Sequence, residues 1–131
     1  FRTALDRLPL FVAALLAGTP PIASGTVTLR AVVFAPRHLT AILQSYGLPH
    51  DLSSDVSITA SGPEELQSLL IGAFSDWLDF YFVPNPHRFL VYADHDEYTT
   101  IFAPRKGAIS RIATAMSLAG ISDVPGYTRD L

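Results

Sequence analysis

The chain has 131 residues, of which 49% are apolar and 16% charged, with a formal net charge of −3 and no cysteine. Such a length suits one domain, which buries roughly two thirds of the surface its unfolded form exposes. The missing cysteines exclude disulfides, thiolate catalysis and cysteine-ligated zinc or iron–sulfur centres, and the scattered Lys and Arg, with no basic run longer than Arg105-Lys106, argue against a phosphate-neutralising nucleic-acid stripe.

Residues 3–17 carry a helical pattern that Pro9 limits, so the helix either starts near Leu8 or kinks there, and Gly18 stops it. The stretch Leu8–Ala17 imitates a secretion signal, yet it is shorter than the roughly 20 residues of a membrane span. A buried helix is expected, and a face with Leu10, Phe11 and Leu15 offers a surface on which two copies pair into a homo-oligomer. Residues 1–25 thus read as an N-terminal helix and proline-rich connector of a single 1–131 domain. A start at Phe1 fits a piece of a longer or processed chain.

Thr26 to Phe34 alternates, with Val27, Leu29, Ala31 and Val33 on one face and Arg30 on the other, which predicts a strand. Pro36 suits a helix start, and the helix is expected to run to about Tyr46 and close at Gly47. Asp55 to Ala60 is short and half polar, a strand for a sheet edge. Ser61 and Glu64 have capping-box spacing for a long helix predicted to reach about Phe82, with Leu66, Leu69, Leu70, Ala73, Phe74, Trp77, Leu78 and Tyr81 on one broad face.

Pro84-Asn85-Pro86 ends that helix. Phe89 to Ala93 is continuously apolar, as in a strand buried on both faces, and Asp94-His95-Asp96-Glu97 is a polar turn leading into Tyr98 to Phe102, so residues 89–102 read as a hairpin. The last helix places Ala108, Ile109, Ile112, Ala113, Met116 and Ala119 inward and ends at Gly120, and the tail from Asp123 to Leu131 has room for one short extra strand. The tetrapeptide Phe34-Ala35-Pro36-Arg37 recurs as Phe102-Ala103-Pro104-Arg105, each copy between a strand and a helix, a mark of either duplication or shared turn chemistry. The order α-β-α-β-α-β-β-α predicts an α+β fold with a sheet of about four strands covered by three to four helices.

Two groups of residues carry the functional expectations. Asp76 and Asp79, three apart on a helix and close to Trp77 and Tyr81, together with Asp94, Asp96, Glu97 and Tyr98, make an acidic and aromatic surface suited to a basic protein partner. This favours a small non-catalytic interaction module, similar in role to an inhibitor, immunity protein or accessory subunit. The alternative is a metal-assisted or acid–base hydrolase built on Asp94, His95, Asp96 and Glu97, with the His50-Asp51 and His87-Arg88 loops as sources of further ligands. Arg37 and Arg105, in first helical turns, suggest a minor anion site or ion pairs with Glu97 or Asp94. No cofactor, nucleic-acid partner or membrane span is expected. The expected compartment is the cytoplasm, with secretion as the alternative that the signal-like stretch leaves open.

Overall fold

The computed structural model describes residues 1–19, 21–32, 36–47, 56–96 and 98–124. In chain order, a 3-10 turn over Leu5–Arg7 leads into α1 (Leu8–Ala17), followed by β1 (Ser24–Ala31), α2 (Arg37–Ser45), β2 (Ser57–Ser61), α3 (Pro63–Ser75), β3 (Asp79–Asn85), β4 (Leu90–Ala93), β5 (Thr99–Phe102) and α4 (Lys106–Leu118). The strands form one antiparallel five-stranded sheet of order β2-β1-β3-β4-β5. The architecture is α+β, and the fifth strand corrects the expected count of four.

That extra strand is β3. The predicted long helix stops at Ser75, Trp77 turns the chain at a left-handed φ of 57°, and residues 79–85 continue as the middle strand of the sheet. The run Phe80-Tyr81-Phe82-Val83 explains the outcome. Aromatic and β-branched side chains suit a pleated surface, and Phe80, Phe82 and Pro84 turn inward at a period of two. The helical spacing of Leu78 and Tyr81 was a coincidence over a short apolar run.

Cross-strand register divides the sheet into two faces. Val27, Leu29, Phe80, Phe82 and Val91 join the apolar sides of α1, α3 and α4 in one core. Phe74 on α3 joins α1 to the sheet, meeting Phe11 edge-on with ring centroids 5.3 Å apart and Phe80 at 5.0 Å. On the opposite face stand Thr26, Thr28, Tyr81 and Tyr92; Tyr81 packs edge-on against Tyr92 at 4.8 Å, with Arg30 5.7 Å above the Tyr81 ring. A bulge between Leu29 and Ala31 leaves Arg30 unpaired in the ladder and exposed.

The hairpin is formed as expected, with Leu90 opposite Phe102 and Ala93 opposite Thr99, and β2 lies at a sheet edge. Pro9 starts α1 and does not kink it. Other expectations are corrected. Phe11 and Leu15 are fully buried, so α1 exposes only Leu10 of the three residues assigned to self-pairing. Gly62, at φ 82°, occupies the N-cap position of α3, so it is Glu65 and not Glu64 that reaches back, accepting the Ser61 N–H at 3.0 Å. Ile109 is exposed, while Ile112 and Met116 anchor α4. The helix after the first Phe-Ala-Pro-Arg copy starts at Arg37 and that after the second at Lys106, one residue later in register. Phe34, Ala35, His50, Asp51, Glu97 and the tail from residue 125 lie outside the described residues. Among the described residues no helix is long and apolar enough to cross a membrane.

Candidate functional site

Three of the carboxylates expected on an outer surface, Asp76, Asp79 and Asp94, are buried. Asp76 follows the end of α3 and is buried; its Oδ1 accepts the His38 backbone N–H at 3.0 Å and pairs with His38 Nδ1 at 2.9 Å, and its Oδ2 accepts the Leu39 N–H at 2.7 Å. These amides belong to the first turn of α2, whose own N-cap residue, Pro36, offers no capping side chain. Asp76 is therefore a cap supplied from another helix, and its charge sits where the α2 dipole favours it. Asp79 repeats the arrangement on the hairpin, with Oδ1 accepting the His95 N–H at 2.8 Å and meeting His95 Nδ1 at 2.7 Å.

Asp94 Oδ1 accepts the N–H groups of Asp96 and Tyr98, at 3.0 and 3.1 Å, and so shapes the turn. Thus Asp76, Asp79 and Asp94 do not form the solvated patch expected of them. Asp96 is exposed, Tyr98 is half-buried, and Tyr81 lies on the open sheet face against Tyr92. Glu97 lies outside the described residues.

The hydrogen bond and charge of Asp79 raise the pKa of His95 above the ordinary 6.5, with smaller help from Asp96 and Asp94 against a small desolvation cost. A buried carboxylate on Nδ1 is the geometry that orients a general base. The recess where Asp94 meets Trp77 and Phe74 holds only about 10 Å³, the room of a single water. Among the described residues no three His, Asp or Glu side chains gather as a metal ion would need.

A different place has the shape and charge of a ligand site. A cavity of about 520 Å³ opens between the end of α1, the β3–β4 turn and the start of α4, and its walls include His87, Arg88, Arg105 and Arg111. Among the described residues no Asp or Glu lines it, and none of these guanidinium groups forms an ion pair or hydrogen bond. The first turn of α4 contains no acidic residue and no capping side chain. The Arg111 side chain folds back along the helix, so that a Cβ at Gly107 would lie 3.7 Å from its Nη1. Arg105 and Arg111 from the start of α4 and His87 and Arg88 from the β3–β4 turn therefore line one opening.

Close packing builds this cavity. Gly18 ends α1 against the α4 backbone, where a Cβ would come within 2.6 Å of Ile112 Cα. Gly18 and Thr19 then form a wall opposite the β3–β4 turn. The sequence marks Arg105 by its place at a helix start and His87-Arg88 as a source of metal ligands, and it gives no signal for Arg111. No spacing in the chain joins residues 18, 88, 105 and 111, and only their packing does. Arg37 lies outside this wall, exposed at the start of α2.

Comparison of the chain with protein-family models, with curated proteins and with solved structures finds no match in any of the three.

Proposed function

We propose that the protein is a binding module for a small anionic ligand, held in the cationic cavity at the start of α4. The observation that carries this reading is a recess of about 520 Å³ with three arginines and a histidine on its walls and, among the described residues, no carboxylate. The volume falls within the roughly 300–1,000 Å³ of small-molecule sites. Guanidinium groups present fork-shaped donors that match phosphate and carboxylate oxygens. Arg105 and Lys106 at a helix N-terminus each oppose the dipole by about 0.3–1 kcal/mol, and a bound anion turns that repulsion into attraction.

Binding is the role of this cavity, since Asp76 and Asp94 hold backbone amides and Asp79 holds His95, all away from its walls. For the same reason the acidic and aromatic surface keeps, among its described carboxylates, only Asp96 exposed to steer a basic protein partner. Inorganic phosphate titrated into the intact chain at low ionic strength is expected to raise its unfolding temperature, and a double Arg88→Gln, Arg111→Gln variant is expected to lose most of that rise. An unfolding temperature unmoved by phosphate would remove the reading.

A further inference from the structure

Beside the cationic cavity lies an open groove of about 470 Å³, and its character is different. Its walls include Val83, Leu90, Ile101, Phe102 and Ile109, and it shares His87, Arg88, Phe89 and Pro104 with its cationic neighbour. The two recesses therefore meet along the β3–β4 turn and the segment that leads into α4. Ile109 marks the boundary. It stands on α4 at a position whose spacing assigns it to the core, yet it is 41% exposed. Its side chain lines the apolar recess, where nothing among the described residues covers it.

A cation-lined cavity joined to an apolar one fits a ligand with the same division. We infer that the ligand is an amphiphilic monophosphate, its head among Arg88, Arg105 and Arg111 and its hydrocarbon body in the recess beside Ile109 and Phe102. This rests on the anion-binding reading above and adds the class of ligand. A phosphate head is preferred over a carboxylate because three guanidinium groups balance a dianion better than a single charge. The ligand is a free small molecule, since its head is taken up in a cavity of limited volume, while its hydrocarbon body lies along an open apolar groove.

Calorimetric titration of the intact chain with inorganic phosphate, butyl phosphate and hexyl phosphate, at one pH and one salt concentration, tests this. Each methylene that enters the recess should tighten binding by up to about fourfold, from roughly 0.8 kcal/mol per buried CH₂, so hexyl phosphate should bind at least tenfold more tightly than phosphate. Ile109→Asn changes an exposed side chain that lines only the apolar recess. It should remove the chain-length gain and leave phosphate affinity unchanged, whereas Arg88→Gln should weaken all three ligands. Hexanoate should bind more weakly than hexyl phosphate.

Equal affinity for phosphate and hexyl phosphate would overturn the amphiphile while leaving the anion site standing, and no binding of any of the three would overturn both. A chain-length gain that survives Ile109→Asn would overturn the location. Binding to vesicles of anionic lipid without binding to soluble alkyl phosphates would overturn the free ligand in favour of a bilayer surface.

Discussion

Asp76 holds the first turn of α2 although it belongs to the end of α3, and its cost or benefit is decided by that contact. At the end of its own helix a carboxylate opposes the dipole; at the start of another it is favoured and accepts two amide N–H groups. Asp76→Ala leaves those amides without their acceptor and should destabilise the fold by about 2 kcal/mol, the upper end of a lost cap, whereas His38→Ala should cost far less, since that ring is 67% exposed. Urea unfolding of both variants checks the order. His95 gives a second prediction. Its folded-state pKa lies above its unfolded one, so the Asp79 contact contributes fully below the ordinary value of 6.5 and is lost as pH rises through the raised folded pKa. Stability measured from pH 5.5 to 8.5 should therefore contain a fall on the alkaline side of 6.5, and Asp79→Asn should flatten it. With the ring 39% exposed, the fall is small. An unchanged pH profile in the variant would assign the fall to other groups.

At the scale of elements, the positions of α1 and α4 depend on close backbone approach. Gly18 has an ordinary φ of −74°, so it is not required for left-handed geometry; it is required because Ile112 Cα occupies the space of its side chain. Gly18→Ala should push the two helices apart and cost roughly 1–3 kcal/mol, as overpacking does. Because Gly18 and Thr19 also wall the cationic cavity, the same change should weaken phosphate binding in protein that remains folded. Phosphate affinity unaltered in a destabilised Gly18→Ala protein would detach that wall from the site. The α3–β3 passage shows the opposite case, in which local signals compete. Helical spacing favours continuation through Tyr81, and the aromatic run favours a strand. Pairing of β3 with both β1 and β4 decides it, because a strand there satisfies backbone groups on two neighbours.

For the whole molecule, the net charge of −3 hides an uneven distribution, with three of the nine Lys and Arg on one cavity wall and, among the described residues, five of the acidic side chains bound to backbone amides elsewhere. An anion at a hundredfold excess over its Kd should stabilise the fold by about 2.7 kcal/mol. Raising the salt from 0.01 to 0.15 M shortens the screening length from about 30 to 8 Å and should reduce this markedly. Thermal melts in phosphate at two sodium chloride concentrations measure it, and a salt-independent shift would point to a site that is not electrostatic. Periodicity alone determined the α+β class, the hairpin, the edge position of the strand before α3 and the extents of α1, α2 and α4 to within a few residues, because these follow from which side chains water expels along a local stretch of chain. Only the tertiary structure decided that Asp76, Asp79 and Asp94 serve the backbone, that residues 79–85 lie in the middle of the sheet, and that Arg88, Arg105 and Arg111 share one opening. Each of those outcomes depends on partners distant in sequence, and a carboxylate or guanidinium looks the same in the chain whether water, an amide or a ligand will satisfy it.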